Sequence, residues 1–178
     1  DVTGCSSKPK TVEVIRSEQA TVNYSVSNEF QDNQDITVTA TGVGGDYLYQ
    51  LDEGPIQSSP VFENVSSGDH LITVFDNNGC ESTTINAFVV NYPKYFTPNG
   101  DGYHDYWNIK DLAHQPESVI YIFDRFGKLI TQIKPSQPGG WDGTFNGEKL
   151  FSTDYWFTVT YLSNGIQKEF KAHFAMKR

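Results

Sequence analysis

The chain predicts an all-β protein built as two tandem antiparallel β-sandwiches, and three observations carry that expectation. Apolar and polar residues alternate with period two through almost every segment. The alternating runs are too short for helices and rich in β-branched and aromatic residues. Clusters of Gly, Asn, Asp and Pro interrupt them about every 8 to 12 residues, the spacing of short strands joined by tight turns.

The elements follow in order. Ile36-Thr37-Val38-Thr39-Ala40 is the first clear strand, and Gly44-Gly45-Asp46 turns it into Tyr47-Leu48-Tyr49-Gln50-Leu51-Asp52. A Gly54-Pro55 turn leads to Val61-Phe62-Glu63-Asn64-Val65, and Ser66-Ser67-Gly68 leads to the strand from His70 that contains Leu71-Ile72-Thr73-Val74-Phe75. Asp76-Asn77-Asn78-Gly79 then turns the chain towards Ala87-Phe88-Val89-Val90. Pro93 in Asn91-Tyr92-Pro93-Lys94 cannot continue a central strand, which marks a boundary. Beyond it come Val119-Ile120-Tyr121-Ile122-Phe123, the turn Arg125-Phe126-Gly127, the strand Asp154 to Val159, the turn Ser163-Asn164-Gly165 and a last strand from Gln167 to Met176. The expected division is an upstream linker or the end of a preceding repeat at 1–10, one sandwich at 11–92 and a second at 93–178.

Composition supports folding and excludes some partners. The 178 residues fit two cores of roughly 85 to 90 residues each. Ten Tyr and twelve Phe supply large buried areas. With 13 basic against 22 acidic residues the net charge is -9, which repels a phosphate backbone and disfavours nucleic acid. No stretch reaches the roughly 20 apolar residues of a membrane span, and the opening DVTGCSSKPK lacks a signal-peptide core, so a leader is expected upstream. Cys5 and Cys80 either bridge or stand as thiols; an oxidising compartment favours the bridge.

The order of strands and turns in the first sandwich, closing on Asp76-Asn77-Asn78-Gly79-Cys80, resembles the immunoglobulin-like repeats stacked in large adhesins of gliding and other Bacteroidetes. The second half opens on Tyr95-Phe96-Thr97-Pro98-Asn99-Gly100-Asp101-Gly102-Tyr103-His104-Asp105-Tyr106-Trp107. By itself this is a tightly wound turn. It also resembles the opening of the gliding-motility-associated C-terminal domain, the type B sorting domain of the type IX secretion system, from which it departs where His104 replaces Asn. Ile120 to Ile130 is similar to that family's hairpin around Arg125-Phe126-Gly127-Lys128. Gly140-Trp141-Asp142-Gly143-Thr144-Phe145-Asn146-Gly147 is similar to its Trp-Asp-Gly turn, and Asp154 to Val159 to its penultimate strand.

The resemblance implies two tandem Ig-like antiparallel β-sandwich domains, with export through the type IX translocon to the cell surface or medium. The partner it implies is a PorP/SprF-like outer-membrane barrel protein. A folded signal must present loops in fixed geometry, which places recognition on Thr97, Pro98, Asn99, Gly100, Asp101, Gly102 and Asp105, with Trp141, Asp142 and Gly143. Pairing along the edge of the last strand is a second mode, although Lys168, Glu169 and Lys171 blunt such an edge.

Other chemistries find only partial support in the residues. Asn99, Asp101 and Asp105, with the Tyr103 carbonyl, supply oxygen ligands for calcium, but Tyr103, His104 and Lys110 break the EF-hand pattern. An Asx-turn lattice explains the same residues without a metal. Trp107, Trp141 and Trp156 suggest a sugar platform, yet aromatics at alternate positions are expected as core. Asp105, Asp142 and Asp154 sit among turn residues, which fits capping better than acid–base catalysis. The four histidines, at 70, 104, 114 and 173, have no metal spacing, and no nucleophile elbow or phosphate loop occurs. The sequence therefore reads as no enzyme, with a glycan- or protein-binding adhesin module in the first domain as the alternative function.

Overall fold

In the computed structural model the described residues are 9–11, 18–43, 45–78, 81–163 and 165–178. Cys5 and Cys80, and with them the expected bridge, lie outside these residues, as do Gly44, Gly79 and Asn164 of the expected turns.

The first unit stacks two three-stranded sheets. One has the order β1 (Thr21–Val26), β2 (Gln34–Thr41), β4 (Val61–Val65); the other has β3 (Tyr47–Leu51), β5 (Gly68–Asp76), β6 (Thr83–Val89). All their pairings are antiparallel. Alternation puts Ile36 and Val38 of β2 and Ile72 and Val74 of β5 inwards, where they meet Tyr49, Phe62, Ala87 and Val89. Asp52 holds the turn after β3 at φ 51, its carboxylate accepting the backbone N–H of Leu71 at 2.8 Å and contacting His70 Nδ1 at 2.8 Å.

The second unit is a five-stranded sheet in the order β7 (Tyr95–Phe96), β13 (Ile166–Met176), β12 (Asp154–Ser163), β8 (Val119–Phe123), β9 (Leu129–Ile133). The pairings are antiparallel except that β7 runs parallel to the end of β13, Tyr95 opposite Ala175 and Phe96 opposite Met176. Its second layer is built largely from loops and the short hairpin of β10 (Thr144–Phe145) and β11 (Glu148–Lys149). Trp107, Ile109, Leu112 and Trp141 come from those loops and bury against Phe157 and Phe174 of the sheet.

Two expectations change in detail. Trp156 is 41% exposed and not core, because Tyr155 and Phe157 on either side take the inner face of β12 and period two leaves Trp156 outside. The last strand is half covered: β12 pairs along it on one side, while β7 reaches only Ala175 and Met176 on the other. Among the described residues no strand covers the remaining edge, and no helix is long and apolar enough to cross a membrane.

Candidate functional site

The loop after β7 is wound around carboxylates. Both oxygens of Asp105 accept backbone donors, Oδ1 from Gly100 at 2.6 Å and Oδ2 from Gly102 at 2.8 Å. Asp101 Oδ1 accepts from Tyr103 N at 2.8 Å, and Asn99 Oδ1 accepts from Asp101 N at 3.1 Å while its amide donates to Asp101 Oδ2. The loop closes where Thr97 N donates to the His104 carbonyl at 2.8 Å. Donation from Gly100 and Gly102 holds the Asp105 carboxyl below the usual range. This is an Asx-turn lattice in which the acidic oxygens already serve backbone N–H groups. Among the described residues no group of three or more His, Cys, Asp or Glu is placed to hold a metal ion.

The Trp-Asp-Gly turn is fastened to the same end of the sheet. Trp107 and Trp141 exchange backbone hydrogen bonds at 2.9 Å each way. Their indoles donate to the carbonyls of Pro93 and Thr144, both at 2.8 Å, and the Trp107 ring stacks on Phe174 at 3.8 Å. Asp142 Oδ1 accepts from both the backbone and the hydroxyl of Thr144.

Gly143 joins the motifs. A Cβ there would sit 2.5 Å from Met176 Sδ, 3.0 Å from Arg178 and 3.2 Å from Pro98, and φ is +78. The opening loop, the Trp-Asp-Gly turn and the end of β13 therefore meet at a point where any side chain is strained and crowded. Arg178 ties the seam further, donating to the Gly143 carbonyl at 3.1 Å, to the Leu150 carbonyl and, through its backbone, to Ser152 Oγ at 3.0 Å.

Residues 90–176 match the family described as CHU_C type IX secretion signal domain. This part of the chain is a type IX secretion signal domain. No curated protein matches the chain. Among solved structures, a chain titled "Biofilm associated protein - BSP domain" aligns at 12% identity over 90% of this chain and 29% of that one, with a TM-score of 0.27. The present chain thus spans less than a third of that structure.

Within the signal domain the expected recognition residues divide in two. Asn99, Gly100, Asp101, Gly102 and Asp142 are exposed, and Thr97, Pro98 and Asp105 are partly so. Trp141 and Gly143 are buried, and they hold the surface from beneath. Outside the expected recognition residues, Phe126 and Phe151 are 80% and 87% exposed beside a groove of about 520 Å³ that Lys128, Phe145 and Tyr155 also line. Phe126 stands in the family-like Arg-aromatic-Gly-Lys turn. Asp124 fixes that turn by accepting from the backbone of Phe126 and Lys128.

Proposed function

We propose that this chain carries its protein across the outer membrane through the type IX system, with the first unit as an immunoglobulin-like spacer and the second as a type B sorting signal. The observation that carries the reading is the convergence of Pro98, Gly143 and Met176, which brings the opening loop, the Trp-Asp-Gly turn and the end of β13 together at one end of the sheet. The exposed Asn99–Gly102 stretch and Asp142 stand there on a rigid base, the form that recognition by a membrane machine requires. The partner we assign to that end is a PorP/SprF-like outer-membrane barrel protein, and the destination is the cell surface or the medium.

We read the chain as non-enzymatic and its opening loop as cation-free. Of the carboxylates weighed for acid–base work, Asp105 and Asp142 serve as acceptors for turn N–H groups, which supports a structural use of those two.

The test fuses residues 1–178 behind a reporter delivered to the periplasm of a type IX-competent bacterium. The expected result is reporter outside the cell, lost in a strain lacking the translocon. A folded fusion that stays in the periplasm would sink the reading.

A further inference from the structure

Residues 28–33 belong in sequence to the first unit, between β1 and β2, yet Phe30 is in the core of the second. Its ring is 2% exposed, stacks on Phe170 of β13 at 4.1 Å and meets Tyr161 of β12 edge-on at 5.0 Å. It is absent from the first unit's own core, which closes around Ile36, Ile72 and their neighbours.

The loop is built for this position. Asn28 and Phe30 both lie in the left-handed region, at φ 52 and 66; asparagine tolerates that conformation, but a bulky residue such as Phe30 keeps it only where its surroundings impose it. Phe30 N donates to the Val90 carbonyl at 3.0 Å, and Lys94 Nζ donates to the Phe30 carbonyl at 3.3 Å. Gln34, itself buried, spans from Gln31 to Val90 with its amide. Beside the ring, Glu29 accepts from Tyr161 Oη at 2.5 Å, from Ser163 Oγ and from Lys168 Nζ at 3.0 Å.

Charge fits the docking. Residues 1–92 contain thirteen Asp and Glu against three Lys and Arg, whereas residues 93–178 contain nine against ten. Glu29 and Asp32 of the acidic unit face Lys168 and Lys94 of the other.

We infer that the sorting signal extends upstream of residues 90–176: the 28–32 loop is a plug that completes the signal domain's core, and the export machinery receives the docked pair. This rests on the sorting role proposed above. The loop-built second layer covers one end of the sheet with Trp107 and Trp141, and Phe30 with Tyr92 covers the other.

The test uses the full chain, as the reporter fusion and as purified protein, with Phe30→Ala and Phe30→Leu. We expect Phe30→Ala to cut the exported fraction by about tenfold and to speed amide exchange in 155–174 by about 1,000-fold. Phe30→Leu, which refills most of the volume, restores most of both. Export of Phe30→Ala at the unmutated level, with exchange in 155–174 unchanged, overturns the plug. Retention of the unmutated fusion instead overturns the sorting role, and exchange in purified Phe30→Ala then decides the plug separately.

Discussion

The ring of Phe30 lies on the ring of Phe170 with centroids 4.1 Å apart and planes 9° from parallel, although one belongs to the first unit and the other to the last strand of the second. Stacked pairs in a dry setting add to simple area burial. All three tryptophans, Trp107, Trp141 and Trp156, are in the second unit, so their fluorescence reports that unit alone. We predict that Phe30→Ala destabilises the tryptophan-monitored transition by about 3–5 kcal/mol, as for other large-to-small core changes. Urea unfolding followed by fluorescence checks this. An unchanged midpoint would mean that the ring contributes nothing to the second core.

Gly143 gives the sharpest steric prediction. An alanine methyl would meet Met176 Sδ at 2.5 Å in a backbone conformation that already disfavours side chains. The methionine tail can give way, but Pro98 at 3.2 Å and the hydrogen-bonded Arg178 leave little room on the other sides. Gly143→Ala is expected to cost about 2–4 kcal/mol by calorimetry. It should also reduce export, because it pushes apart the elements that meet at the recognition end. Wild-type stability in this variant would show that the close approach relaxes freely.

Much of this was legible in advance for a physical reason. Strands such as Ile36–Ala40, Leu71–Phe75 and Val119–Phe123 announce themselves because one face is buried, and period two writes that burial into the residue order. The turn residues of 97–105 and 140–147 were legible because positive φ and Asx capping restrict the residue types. The same rule, applied strictly, places Trp156 outside, since Tyr155 and Phe157 cannot share a face with it. Phe30 was not legible. It sits in no alternating run, and its partners, Tyr161 and Phe170, are reached only through tertiary folding.

The 97–105 loop should behave as a carboxylate-capped turn and not as a cation site. We expect calcium and a chelator to leave its melting temperature and its amide exchange alike. Asp105→Ala should speed exchange at Gly100 and Gly102 selectively, because both amides donate to that one carboxylate. A calcium-dependent rise in melting temperature that disappears in Asp105→Ala would reverse the assignment.

Glu29 adds a pH dependence to the interface that Phe30 anchors. Burial raises the Glu29 pKa, but donation from Ser163, Tyr161 and Lys168 outweighs it and leaves the group below its ordinary 4.5. A depressed carboxyl stabilises the fold fully above its unfolded pKa, and that stabilisation is lost as pH falls through the lower folded value. Glu29→Gln should therefore be less stable than the unmutated chain at neutral pH, by about 1–2 kcal/mol. The difference should shrink in acid below about pH 4.5. Asp111 works in the opposite sense: burial raises its pKa despite the Asn91 N–H it accepts, so its own contribution is lost as pH rises. Because Asp111 is present in both proteins, its effect cancels in the comparison. Urea midpoints of the two chains between about pH 7 and about pH 3 decide the point. A gap that stays constant, or widens towards acid, would remove Glu29 as the titrating tie between the units.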